Sequence, residues 1–447
     1  MSIPLDCLYH YIESVAQEIH SGNVLIYRFM PHGSKKLEDL NSLNPLPDYT
    51  TMINLPQIYC YDQEPLDYDY YKNKHNEVHY RYYYDSIKAN APSVDNHPEI
   101  LNEILKNNIR HYVVNIYDKC ILIHSEKRSS NVEKYKNDQY IPVYYWNHAL
   151  ISQDWFRYAE HMPIKKSNLT TKFLIYNRAW SGTREYRLKF VELLINNNLI
   201  DYCKTWCNAV EPELQIHYND HKFNITQWKP NILIENFLNP TTASSCSSAD
   251  IDHQDYATTD FEVVLETLFD DSRLHLTEKC LRPIAIGQPF LLAATHGSLQ
   301  YLRDYGFKTF SPIIDESYDQ IENPMERLNA LVNSMKQIAG WSQSVREKNM
   351  KEINTITQYN KEYFFSDKFF KFVVNELVTN LKQGLNELEE LNTGCRYLNF
   401  RKLLSKNEEL KTNVLLCERP GRTRTDLIKS LKKARKYYNR YLKTLNK

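Results

Sequence analysis

Glycine is the scarcest informative residue: ten occur in 447 positions, about 2% where roughly 7% is usual. No two are spaced as Gly-x-Gly, which excludes the usual dinucleotide fingerprint and a Walker A loop. Phosphates bound here must therefore be held by side chains and helix ends. Cysteine is also uninformative as a scaffold. Nine residues, an odd number, are scattered without a Cys-x-x-Cys pair, so free thiols in a reducing compartment are expected. Cys203 and Cys207 stand four apart and are expected to share one helix face rather than hold metal. Long apolar runs are missing too. The stretch 290–294 is the longest clean one near the middle, far short of the roughly 20 residues that cross a bilayer. The start, Met1-Ser-Ile-Pro-Leu-Asp-Cys, has no basic segment followed by an apolar one, so no signal peptide is expected and the location expected is cytoplasmic, the host cytoplasm if the source is viral.

What is present points to a globular chain. Tyr (34), Phe (17) and Trp (6) are too plentiful for a disordered one. Length is a prior for two domains plus an extension. The zero net charge hides an asymmetry: residues 401–447 hold 15 Lys/Arg against 4 Asp/Glu, and the preceding 400 hold 40 against 51. The end reads as a basic helix containing Lys432, Lys433, Arg435, Lys436 and Arg440, with Leu427, Leu431, Tyr438 and Leu442 as a loose apolar stripe. It fits a solvated helix on an acidic body and a grip on a nucleic-acid backbone about equally.

Short β-rich runs alternate with helical patterns. Strands are expected at 24–29, 57–61, 121–124, 142–145, 173–176, 261–265 and 289–293. Helices are expected at 7–20, 98–107, 184–197, 278–285, 299–305, 324–339 and 342–360. This alternation predicts an α/β fold with parallel sheets. The expected divisions are 1–165, 166–375 and a helical basic extension over 376–447, with a linker at 163–171 and a Ser/Thr/Asp-rich loop over 239–260.

The segment running from Thr277 through Glu278 and Lys279 to Gly287 and Pro289 carries the most chemistry. Thr277 is an N-cap residue, and Glu278 in the first turn suits the helix dipole. Lys279 adds a cation beside an end that already attracts anions, as a departing diphosphate requires. An ordinary capped helix before a core strand has the same pattern. Asp67-Tyr-Asp69 and Asp250-Ile-Asp252 have the Asp-x-Asp spacing that holds a metal on a diphosphate, but chance supplies about one such spacing in a chain this rich in Asp. No metal site or cofactor is expected. The Tyr-rich stretch 68–84 contains Tyr82, Arg81, Lys72 and Lys74. It fits either a half-buried element or a surface that stacks sugars or bases.

Thr277-Glu-Lys, followed by a helix and a Gly287-x-Pro-Phe strand, resembles the donor-site motif of the alpha-1,3-fucosyltransferase family. It is more similar to a group of phage- and virus-encoded glycosyltransferase-like proteins. That likeness is spread over Tyr61-Asp-Gln-Glu-Pro-Leu66, Tyr145-Trp-Asn-His148, Asn177-Arg178, Val264-Leu-Glu-Thr267 and the run from Gly297 to Phe310. The resemblance implies a GT-B architecture: two Rossmann-like domains facing a cleft, the donor held mostly by the C-terminal one, without an obligatory metal. It implies that Glu278 takes the ribose hydroxyls, that Lys279 neutralises the diphosphate, and that Arg178 is a second clamp with Arg184 or Arg187 in reserve. Salt bridges on a helix surface are the plainer role for Arg184 and Arg187. Glu266 is expected to line the nucleotide pocket.

The implied activity is transfer of a sugar from a nucleotide-sugar donor to an acceptor hydroxyl. A general base must take the hydroxyl proton. Asp62 and Glu64, just past the strand at 57–61, and His148, past the one at 142–145, rank close together. The basic end and the phage-like resemblance favour a hydroxymethylated or already glycosylated base in viral DNA as acceptor. A surface glycan, a lipid-linked sugar, or a non-catalytic DNA-binding protein with a degenerate GT-B fold are the competing readings.

Overall fold

A computed structural model of the chain describes residues 2–29, 37–40, 55–75, 120–138, 140–162, 171–235 and 250–394. The architecture is mixed α/β, built on two sheets of parallel strands. The chain divides into two compact units. One gathers the described residues of 8–124, 131–145 and 377–447; the other gathers those of 1–7, 125–130 and 146–376. Residues 146–162 thus belong with the unit that holds 171–376, and a cut at 375 falls inside a helix, Asp367–Gly394.

The first unit contains β1 (Leu25–Phe29), β2 (Leu37–Asp39), β3 (Gln57–Cys60), β4 (Ile121–His124) and β5 (Ile141–Tyr144). The order is β2-β1-β3-β4-β5, parallel except for β2 at the edge. Strands β3 and β4 are buried along their whole length, as parallel strands covered on both faces must be. The core is aromatic. Tyr27 stacks on Tyr59 at 4.8 Å and Tyr61 on Tyr71 at 4.2 Å, with Tyr135 buried in the same cluster. Tyr70 packs edge-on against Phe29, and Lys72 pairs with Asp138. The described part of the Tyr-rich stretch is therefore core and its rim; Arg81 and Tyr82 lie outside the described residues.

The second unit contains β6 (Thr171–Asn177), β7 (Cys203–Cys207), β8 (Thr259–Leu265) and β9 (Phe290–Ala293), all parallel in the order β7-β6-β8-β9. The seven strands expected from sequence are all present, shifted by up to two residues at their ends. Cys203 and Cys207 correct a helical expectation: they lie on β7, where a four-residue spacing also shares one face because the strand period is two. The expected loop over 239–260 is corrected within 250–260, where Asp252 caps the short helix His253–Thr258 and β8 begins at Thr259. The helices Ser130–Asn137 and Asn147–Trp155 carry no clear apolar stripe. The second is buried even at Asn147, His148, Ser152, Gln153 and Asp154, so the usual amphipathic signal is missing. No helix among the described residues is long and apolar enough to cross a membrane.

Candidate functional site

In the second unit the strand order reverses between β6 and β8. Ligands of open α/β sheets bind outside the carboxyl ends at such a point. Here the two ends are tied by Arg187, in the first turn of the helix Tyr186–Asn196. Its guanidinium donates to Ala179 O (2.6 Å), Asn177 Oδ1 (3.4 Å), Leu265 O (2.7 Å) and Glu266 O (3.0 Å). Arg187 is buried and burial pulls its pKa down. The residue held in reserve as a diphosphate clamp is instead committed to backbone carbonyls. It is not on a helix surface either.

Glu266 follows β8 and is fully buried. It accepts Thr277 N (3.1 Å) through Oε1, and Thr277 Oγ1 (2.8 Å) and Thr267 N (3.2 Å) through Oε2. Its carboxylate thus fixes the residue that caps the helix Glu278–Ile286. Thr277 Oγ1 in turn accepts Lys279 N at 3.3 Å, as an N-cap hydroxyl does. Gly287, at φ +75°, closes the helix in the left-handed conformation, where a Cβ would be strained. The Glu266–Thr277 contact makes the cap rigid, and the sequence assignment of Thr277 as N-cap agrees with it.

Glu278 and Lys279 meet at this helix start. Lys279 Nζ lies 2.9 Å from Glu278 Oε1 and 3.3 Å from Thr277 Oγ1. His148 Nδ1 lies 3.5 Å from Glu278 Oε2, both side chains being buried. Trp146 positions that histidine: its indole N–H donates to Leu276 O at 2.9 Å, beside the cap. Burial alone would raise the Glu278 carboxyl, but Lys279 and His148 outweigh it and hold the group well below the usual carboxylate range. His275, which the sequence reading passed over, sits edge-on to His148 at 5.3 Å, with Nδ1 3.1 Å from Ser125 Oγ. Burial first, then His148, Lys279 and Arg273, push its pKa well below the ordinary histidine value, so it stays neutral near pH 7. Its only sequence signal was proximity to Thr277.

The depressed Glu278 carboxyl fixes a sign. Its stabilisation is complete above the unfolded pKa of about 4.3 and is lost as pH falls towards the lower folded value. Glu278→Gln should cost about 1.5–3 kcal/mol at pH 7, the worth of a buried hydrogen bond to charge. Urea titrations at pH 6, 4 and 2.5 should show that gap narrowing below pH 4. A gap independent of pH would mean that the carboxylate charge contributes nothing.

The other two arginines differ from Arg187. Arg184, half-buried in the turn before the helix, donates only through Nε to Ser181 O at 3.4 Å and makes no ion pair among the described residues. Its two terminal nitrogens make no hydrogen bond among the described residues. Arg178, directly after β6, faces Glu213, with Nη2 3.6 Å from the carboxylate.

In the first unit Asp62 lies just past β3 and is fully buried. It accepts Tyr9 OH (3.0 Å) and Tyr145 OH (2.5 Å), and Gln63 Nε2 donates to Tyr9 OH (2.6 Å). Glu64 is half-buried and makes no hydrogen bond or ion pair among the described residues. The two Asp-x-Asp segments have local roles at one residue each: Asp67 accepts Tyr70 N, and Asp252 accepts Gln254 N and Asp255 N. Among the described residues no three His, Cys, Asp or Glu side chains group to hold a metal ion. Lys432, Lys433, Arg435, Lys436 and Arg440 lie outside the described residues. No family model, curated protein or solved structure matches this chain.

Proposed function

We propose that this chain is a glycosyltransferase of GT-B type that moves a sugar from a nucleotide-sugar donor to an acceptor hydroxyl. The observation that carries the reading is the Thr277–Lys279 helix start, whose cap is fixed by the buried Glu266. The dipole of that helix end and the Lys279 ammonium suit an anion, next to a carboxylate kept ionised for ribose hydroxyls. The likeness of the same residues to the fucosyltransferase donor motif supports it independently of geometry. Arg184, with its unengaged fork, is the arginine best suited to the diphosphate; Arg187 is already spent.

In the reaction, the acceptor oxygen forms a bond to the anomeric carbon and the bond to the diphosphate oxygen breaks. The electron pair leaves with the nucleoside diphosphate, and the hydroxyl proton passes to a base. Asp62 is occupied by two tyrosine hydroxyls and His148 by Glu278, so Glu64 is the candidate with an uncommitted carboxylate. The basic charge of 401–447 supports a base in viral DNA as acceptor, hydroxymethylated or already glycosylated. Such a base leaves its stack to react.

Thermal unfolding with UDP-, GDP- and ADP-sugars tests the donor site. One donor should raise the melting temperature, equivalent to about 2.7 kcal/mol at a hundredfold excess over Kd. Arg184→Ala should remove most of that shift. If no nucleotide sugar stabilises the wild type and none is turned over, the transferase reading falls.

A further inference from the structure

Strand β7 runs into a short hairpin over 208–218. Val210 and His217 form an antiparallel bridge. Glu211 N donates to Ile216 O at 2.9 Å and Tyr218 N to Ala209 O at 3.0 Å. The tip is held from within by Glu211, which is fully buried. Its Oε2 accepts Glu213 N (2.7 Å) and Leu214 N (3.0 Å), and its Oε1 accepts Ser181 Oγ (3.1 Å). The base of the hairpin is tied to the end of β6, since Asn208 Nδ2 donates to Arg178 O at 3.0 Å and Trp180 Nε1 to Asn208 O at 2.8 Å. The backbones of Arg178 and Glu213 are therefore fixed against each other.

The two side chains are not fixed in the same way. Glu213 is 55% exposed and Arg178 30%, and their 3.6 Å ion pair is the single polar side-chain interaction of each among the described residues. Capping the turn is the work of Glu211, so the Glu213 carboxylate has no part in holding the hairpin. It stands on an accessible arginine at the carboxyl end of β6, next to the strand reversal.

We infer that Glu213 is a charge-selective residue for the donor: it pairs with Arg178 and yields only to a ligand that brings more negative charge than one carboxylate. The inference rests on the donor-site reading above. An arginine fork binds phosphate oxygens bidentately, and a diphosphate entering beside Glu213 repels the carboxylate, whose exposed side chain is free to rotate away. A nucleoside or free sugar cannot displace it, whereas a diphosphate can. The arrangement keeps the site closed to uncharged fragments of the substrate, at some cost in affinity for the intact donor.

Calorimetric titration of inorganic pyrophosphate and of UDP-, GDP- and ADP-sugars into the full chain tests this. The proteins are wild type, Glu213→Gln, Arg178→Ala and the double variant, each checked for an unchanged melting temperature. Glu213→Gln should bind pyrophosphate about two- to fivefold tighter, the span of an exposed ion pair. The gain should shrink at high salt and vanish in the Arg178→Ala background. If pyrophosphate binds and Glu213→Gln changes nothing, the role of Glu213 is overturned while the donor reading stands. If the gain appears but no nucleotide sugar binds, Glu213 screens a phosphate site at Arg178 that serves another ligand, and the donor reading falls together with the donor role given to Glu213. If pyrophosphate binds none of the four proteins, Arg178 is not a phosphate site and the inference is overturned. A nucleotide sugar that binds even so leaves the donor reading intact.

Discussion

Lys279→Ala is expected to slow sugar transfer by about 10²–10³-fold, the usual cost of removing one preorganised group from developing negative charge. The reason is positional. Lys279 Nζ is held by Glu278 Oε1 and Thr277 Oγ1, so its ordering is complete before a ligand arrives. The helix N–H groups beside it are fixed by a cap that is itself hydrogen-bonded to Glu266. Charge on the leaving diphosphate grows through the transition state, so the loss should fall on kcat more than on KM. Lys279→Arg keeps the charge but changes its shape and reach, and should recover only part of the rate. Lys279 is a quarter exposed, so removing it should leave the fold intact while freeing the buried Glu278 from its cation. Steady-state kinetics with the stabilising donor, and circular dichroism as control, decide the matter. A rate within threefold of wild type would remove Lys279 from the leaving-group site.

Most of the α/β frame was legible because parallel strands are near-continuous apolar runs. Residues 121–124 read Ile-Leu-Ile-His and lie on β4. The helix expected at 324–339 is there as Pro324–Ala339, capped by Asn323 and with Pro324 in its first turn. Thr277 was legible as the cap of the helix Glu278–Ile286 for the same local reasons. Contacts made by residues far apart in sequence were not. Nothing near His148 indicates that Trp146 carries it to Glu278, and nothing near Ser125 indicates His275. The helix Asn147–Trp155 was invisible because its buried residues include Asn, His, Ser, Gln and Asp. Their polar groups remove the periodicity that a sequence reading relies on. Arg187 was misread for a related reason. A charged residue in a helix reads as surface unless the acceptors awaiting it are known, and two of these four belong to β8 and the residue after it.

Arg187→Ala is expected to destabilise the protein by about 3–5 kcal/mol, from unmade hydrogen bonds and the cavity left by the side chain. The guanidinium spans the ends of β6 and β8, with Nη1 making two hydrogen bonds on the β6 side and Nη2 two on the β8 side. Tyr186 OH also donates to Glu266 O at 2.8 Å, so that carbonyl keeps one partner. Ala179 O and Leu265 O lose the donor they share with this arginine. Arg187→Lys should recover only part of the loss, since one ammonium cannot reproduce a planar fork reaching four acceptors. Arg184→Ala, three residues earlier and half-exposed, should stay within about 0.5 kcal/mol of wild type and lose donor binding instead. Urea unfolding of the three variants, beside donor titration of each, separates a residue that braces the sheet from one that meets the ligand. If Arg187→Ala unfolds at the wild-type urea midpoint yet fails to bind donor, its guanidinium serves the ligand and the strand ends hold without it. The opposite pattern would place the phosphate contact on Arg184, with Arg187 holding open the switch point against which the donor lies.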